Sequence, residues 1–137
     1  MPHQFPLRVY YEDTDLAGIV YYANYLRFIE RARTEWVRTK GVDQGRLRAE
    51  EGIVFAVRRV EADYLRPARF DDQLDVRTIL LEAAGARILL GQDVWRGDDR
   101  LFASVVTLVA MGPDGRARRL PATMLAELRR GDETNPA

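Results

Sequence analysis

Between residues 22 and 40 the hydrophobic period is that of a helix, and over most of the remaining chain it is that of strands. Tyr25, Phe28, Ile29, Ala32 and Trp36 recur at i, i+3, i+4, i+7 and i+11, which lays one apolar stripe along a single helical face. Arg27, Glu30, Arg31, Arg38 and Lys40 largely occupy the other side, and Gly41 supplies a stop. Ahead of the helix, FPLRVYYED (residues 5–13) alternates loosely and reads as a strand, followed by the loop TDLAGIV with Gly18 as its sharp bend. Behind it, after a short link over residues 43–51 that can be helical, come four long apolar-rich runs: IVFAVRRVEADYLR, QLDVRTILLEA, ARILLGQDVWR and RLFASVVTLVAM. Ala84-Gly85-Ala86, Gly97-Asp98-Asp99 and Pro113-Asp114-Gly115 punctuate them with the chemistry of tight turns, and Pro67 ends the first run. PATMLAELRR reads as a short terminal helix and residues 130–137 as a frayed tail. One long helix and five strands joined by short turns predict an α+β fold, an antiparallel sheet wrapped around the helix.

A chain of 137 residues fits one domain, residues 1–137. Its balance of 47% hydrophobic and 31% charged residues is that of a globular protein. Lys+Arg and Asp+Glu both number 21, so no basic excess points to nucleic acid or an anionic membrane. Lys40 is the only lysine. The absence of cysteine removes disulfides, a thiolate nucleophile and zinc–cysteine sites. His3, the only histidine, falls in an N-terminus expected to be mobile, and Ser104, the only serine, lies inside an apolar run. A Ser-His-Asp triad needs a serine and a histidine in contact, so any catalysis rests on carboxylates, tyrosines or backbone groups. No stretch reads as a secretory signal or a membrane span, and a soluble cytoplasmic protein is the expectation.

The densest chemistry lies in YYEDTDLAGIVYYANY, residues 10–25, which holds five of the six tyrosines and three carboxylates. Glu12, Asp13 and Asp15 admit three readings. One is a solvated acidic turn with an aspartate as local cap. Another is an oxygen-ligand metal site, weakened by the lack of the repeated ligands of a calcium loop. The third is a catalytic carboxylate facing a helix N-terminus, where unpaired N–H groups and the helix dipole form an oxyanion site. Tyr25 belongs to the core stripe. Tyr21 and Tyr22, being adjacent, are expected to point apart, with one lining a pocket; Tyr10 and Tyr11 alternate on the strand, so one faces inward. Arg33 and Glu35 read as helix-face ion pairing.

The run Y-x-D-T-D-x-x-G-x-V-Y-Y-x-x-Y-x-x-F-x-E-x-A-R-T-E-W, Tyr11 to Trp36, closely resembles the opening of hotdog-fold acyl-CoA thioesterases. It is most similar to the YbgC-like branch, associated with the Tol–Pal system, beside the 4-hydroxybenzoyl-CoA thioesterases. Tyr64, Pro67, Ala68, Asp71, Asp72, Leu74 and Val76 continue the likeness as Y-x-x-P-A-x-x-D-D-x-L-x-V, and Gln92 fits the next strand. The resemblance covers about residues 7–125 and implies hydrolysis of short aliphatic or aromatic acyl-CoA, without a cofactor or metal. It makes Asp15 the catalytic carboxylate, as nucleophile or general base, and gives the Tyr22 N–H the task of polarising the thioester carbonyl. Gly18 would keep the loop close to the ligand and Tyr11 would line the pocket. The resemblance also implies homodimers or homotetramers with shared sites, and coenzyme A phosphates meeting arginines, for which Arg87 at a strand start is the candidate. Tyr22 is a departure: the YbgC-like branch usually has histidine there, whereas 4-hydroxybenzoyl-CoA relatives tend to have an aromatic. A noncatalytic acyl-CoA-binding sensor or scaffold is the alternative; a hotdog dehydratase would need a catalytic histidine.

Overall fold

A computed structural model describes residues 2–131. In chain order the elements are β1 (His3–Arg8), α1 (Asn24–Thr39), α2 (Gln44–Glu51), β2 (Val54–Tyr64), β3 (Gln73–Ala84), β4 (Arg87–Arg96), β5 (Asp99–Met111) and α3 (Ala122–Arg129), with one 3₁₀ turn at Tyr11–Asp13. The strands form one antiparallel sheet in the order β1-β3-β4-β5-β2, so β1 and β2 are its edges. Register breaks at Val57/Arg59, Leu80/Glu82 and Val94/Trp95 interrupt three of its ladders. Such irregularities bend strands and increase twist, which lets a sheet curl around a helix.

The stripe predicted for α1 is the face the sheet covers: Tyr25, Phe28, Ile29, Ala32 and Trp36 are all at most 3% exposed. Tyr25 stacks on Phe102 of β5, with ring centroids 5.0 Å apart and planes 11° apart. One polar tie crosses this core. Gln92 on β4 donates to the Ile29 carbonyl of α1 at 2.9 Å and to Thr78 Oγ1 of β3 at 3.0 Å, and accepts from Arg33 Nη1 at 3.0 Å. Arg33 is therefore not the surface ion-pair partner expected of it. Burial draws its guanidinium below its ordinary value, opposed by Glu30, while Glu35 pairs with Arg38.

Elsewhere the chain follows its punctuation. Asp43 caps α2 through Arg46 N–H at 3.0 Å, and Gly41, with φ +79°, turns the chain after α1. Helix α3 closes one end of the sheet: Met124 and Leu128 are buried, Arg129 donates to the Ala83 carbonyl, and the Lys40 ammonium donates to the Arg130 carbonyl. Lys40 is buried there, 5.6 Å from the centre of the Trp36 ring.

Three expectations are corrected. His3 opens β1, opposite Thr78, so the N-terminal segment is held in the sheet. The first strand stops at Arg8, not residue 13, because Asp13 caps a 3₁₀ turn by accepting the Tyr10 N–H at 2.8 Å. Tyr10 and Tyr11 are accordingly off the strand, and both are exposed. Of the tail expected over 130–137, residues 132–137 lie outside the described residues. Among the described residues no helix is long and apolar enough to cross a membrane.

Candidate active site

The loop between β1 and α1 is a small hairpin. Thr14 and Val20 form an isolated bridge, Asp15 N–H donates to the Ile19 carbonyl at 2.9 Å, and Gly18 N–H returns to the Asp15 carbonyl at 3.0 Å. That last bond closes a four-residue turn, and Gly18 leaves it with φ +80°, a conformation that costs an L side chain about 1–2 kcal/mol. A Cβ at Gly18 would meet nothing within 4 Å, so within one chain backbone angle, not crowding, calls for glycine. The hairpin is seated on residues 66–72. Val20 N–H donates to the Ala68 carbonyl at 2.8 Å, and Ile19 bridges to Arg69. Asp72 stiffens this seat by accepting the Arg69 N–H and the Arg96 guanidinium, both at 2.8 Å. Asp71 adopts a left-handed φ of +69° and pairs with Arg8. Both aspartates have a structural task that their spacing alone did not reveal; the adjacent D-D pair before a strand was the only visible signal.

The two aspartates of D-T-D differ in setting. Asp13 is half-buried at a junction: its carboxylate caps Tyr10, while its carbonyl accepts Tyr21 N–H at 3.0 Å and Asn24 Nδ2 at 2.8 Å. Asp15 is exposed on the hairpin, and its Oδ1 accepts the Ala17 N–H at 2.9 Å, a bond within its own turn. This contact fixes the carboxylate's direction and leaves Oδ2 with no partner among the described residues. The local-cap reading thus holds for both aspartates, and only Asp15 is also presented to solvent.

Helix α1 begins two residues later than expected, at Asn24, and its N-cap residue Ala23 provides no capping side chain. Among the described residues neither the Tyr22 N–H nor the Ala23 N–H has an acceptor. These donors, at the positive end of α1, follow directly on the strand of the hairpin that faces Asp15. A carboxylate and unpaired N–H groups on one short loop are the parts needed to attack a carbonyl and hold the resulting oxyanion.

Tyrosines surround this helix start. The rings of Tyr21 and Tyr22 lie 4.9 Å apart, not on opposite sides, because the backbone there is a turn and not a strand. Tyr25 is core: its buried hydroxyl accepts the Ala68 N–H at 3.0 Å, and burial pushes its pKa up, opposed by that bond. Tyr11 is 81% exposed and touches Phe70 edge-on at 6.1 Å, so a single chain provides no pocket around it. Arg87 is not brought to this loop within one chain. It pairs with Glu82 near the β3–β4 turn, whereas the loop adjoins the Gln73 end of β3, on the order of 30 Å away at about 3.3 Å per strand residue. Two roomy hollows of one chain, about 540 Å³ beside Thr34 and Arg38 and about 660 Å³ over Gly91 and Ala103, include neither Asp15 nor Tyr22. Size does not locate the chemistry here.

The curled five-stranded sheet with α1 in its hollow is the hotdog fold, an α+β class. Residues 17–103 match the thioesterase superfamily, and the chain belongs to that family of thioester hydrolases. It is 38% identical over 128 residues to the acyl-CoA thioester hydrolase YbgC of Escherichia coli O6:H1, covering 92% of this chain and 95% of that one. It is 44% identical over 107 residues to the acyl-CoA thioesterase YbgC of Haemophilus influenzae, covering 78% and 79%. A probable thioesterase from Bartonella henselae superposes with a TM-score of 0.83 at 36% identity, over 88% of this chain and all of that one.

Proposed function

We propose that the protein hydrolyses acyl-CoA thioesters of short aliphatic or aromatic acids to the free acid and coenzyme A. The observation that carries the reading is that the hairpin bearing the exposed Asp15 carboxylate runs directly into the acceptor-less N–H of Tyr22, just ahead of α1. The thioester oxygen sits at that N–H. Asp15 either takes a proton from the attacking water or attacks the carbonyl itself, giving an anhydride that water then opens; both routes release the coenzyme A thiolate, which is protonated. The names of the Escherichia and Haemophilus relatives support acyl-CoA as the substrate class. Acyl-CoA is made and used in the cytoplasm, which we take as the site of action.

The active unit is a homodimer or a dimer of dimers. Tyr11, Leu16, Tyr22, Leu26, Tyr64, Leu65 and Phe70 are exposed apolar side chains on or around the site loop, and β2 is a free edge bearing exposed Val57 and Val60. Such surfaces are normally covered. In that assembly Gly18 and Tyr11 border the substrate, and Arg87 meets the coenzyme A phosphates from a neighbouring subunit. The test is release of free thiol from a panel of aliphatic and aromatic acyl-CoAs. Turnover on part of the panel is expected; binding across the panel with no thiol release would replace the hydrolase with a sensor.

A further inference from the structure

The Tyr22 N–H can stabilise an oxyanion only if it already points at the place where negative charge appears. Its direction is set by two bonds on either side of it. In the trans peptide that carries this N–H, the Tyr21 carbonyl points the opposite way, and it is held by Asn24 N–H at 2.8 Å. The next carbonyl, that of Tyr22, would in a regular helix accept the N–H of Leu26. Here Leu26 N–H goes instead to Ala23 at 3.1 Å, a tighter 3₁₀-type bond. The Tyr22 carbonyl receives the phenol of Tyr64, at 3.0 Å.

Tyr64 is well placed to hold that carbonyl. It is the last residue of the edge strand β2, and its ring meets Tyr25 at 5.5 Å, Phe102 at 5.1 Å and Tyr22 at 6.2 Å, each contact edge-on. Tyr25 and Phe102 are fully in the core, so the phenol is aimed by rigid packing. Partial burial first, and Tyr22 second, push its pKa above the ordinary tyrosine value, and it remains a donor throughout the neutral range.

Resting on the function proposed above, we propose that Tyr64 is a positioning residue: its hydroxyl holds the Tyr22 carbonyl out of the helical ladder and so fixes the Tyr22 N–H as the oxyanion donor. The phenol touches no reacting atom. Its contribution is to keep Tyr22 outside α1, with its torsions pinned at both ends.

Tyr64→Phe retains the ring and removes the bond. The expected result is a kcat about tenfold lower, which corresponds to roughly 1.4 kcal/mol, within the range of one hydrogen bond. KM, the melting temperature and the Kd of a thioether analogue of the acyl-CoA, which lacks the carbonyl, should stay unchanged. Amide hydrogen exchange supplies a second readout, independent of turnover: the Leu26 N–H should become better protected as α1 takes up the Tyr22 carbonyl. An unchanged kcat in an otherwise active enzyme would overturn the inference and leave the hydrolase reading intact. So would a parallel fall in kcat, melting temperature and thioether binding, which would make Tyr64 merely structural. Wild-type protein that releases thiol from no acyl-CoA would overturn both.

Discussion

Asp13 and Asp15 each accept one backbone N–H, and an asparagine carbonyl oxygen can accept the same bond. Asp→Asn therefore changes charge while preserving the turns. Asp15→Asn should lower kcat by at least about a hundredfold with the melting temperature unchanged, as expected when a nucleophile or general base loses its charge. Asp13→Asn should stay within a few-fold of wild type; the opposite ranking would move the catalytic position. The same logic separates Tyr22 side chain from Tyr22 backbone. Its phenol has no hydrogen bond among the described residues, so Tyr22→Phe should lose tenfold or less in kcat/KM, against the hundred- to thousandfold typical of a lost oxyanion donor. Tyr22→His should shift preference towards short aliphatic acyl groups without abolishing turnover. Measuring kcat/KM on one aliphatic and one aromatic acyl-CoA checks both, and a thousandfold loss in Tyr22→Phe would assign chemistry to the phenol.

The elements were legible where a period or a turn residue announced them. The α1 stripe named its buried face correctly, and the glycines at 41, 85 and 97 fall where the chain turns with positive φ. The end of β1 was not legible, because Val9-Tyr10-Tyr11 continues a strand-like composition while the Asp13 cap imposes a 3₁₀ turn. The late start of α1 was hidden for a similar reason: Tyr22 has ordinary helical compatibility, and a side chain 42 residues away holds its carbonyl. Gln92 stood out only through the family likeness of its strand, yet it joins β4, β3 and α1. Gln92→Leu fills similar space but leaves Arg33 and Thr78 without that partner. It should cost about 2–3 kcal/mol, the penalty of unsatisfied buried polar groups, read as a lower urea midpoint with an unchanged slope. Stability equal to wild type would mean that water substitutes for the amide.

For the whole molecule, the proposed function puts the attacking Asp15 and the Tyr22 N–H on an exposed loop of a single chain, and the association proposed above would enclose them. Specific activity should fall on dilution in step with the dissociation of the oligomer, followed by analytical ultracentrifugation. A monomer with full activity would defeat a shared site. If Arg87 meets the coenzyme A phosphates across subunits, Arg87→Ala should raise KM severalfold for acyl-CoA and leave the matching N-acetylcysteamine thioester, which has no phosphates, unaffected. Equal effects on both would place Arg87 elsewhere. The arrangement of cations has one more effect. A thioester acylates amines as well as water, and a protein that gathers thioesters exposes its own lysines to that side reaction. Here the sole ε-amine lies beneath α3, donating to the Arg130 carbonyl. The other side-chain cations are guanidinium groups, which remain protonated and do not compete as nucleophiles. The folded enzyme can therefore hold a reactive acyl donor while offering it no lysine to modify.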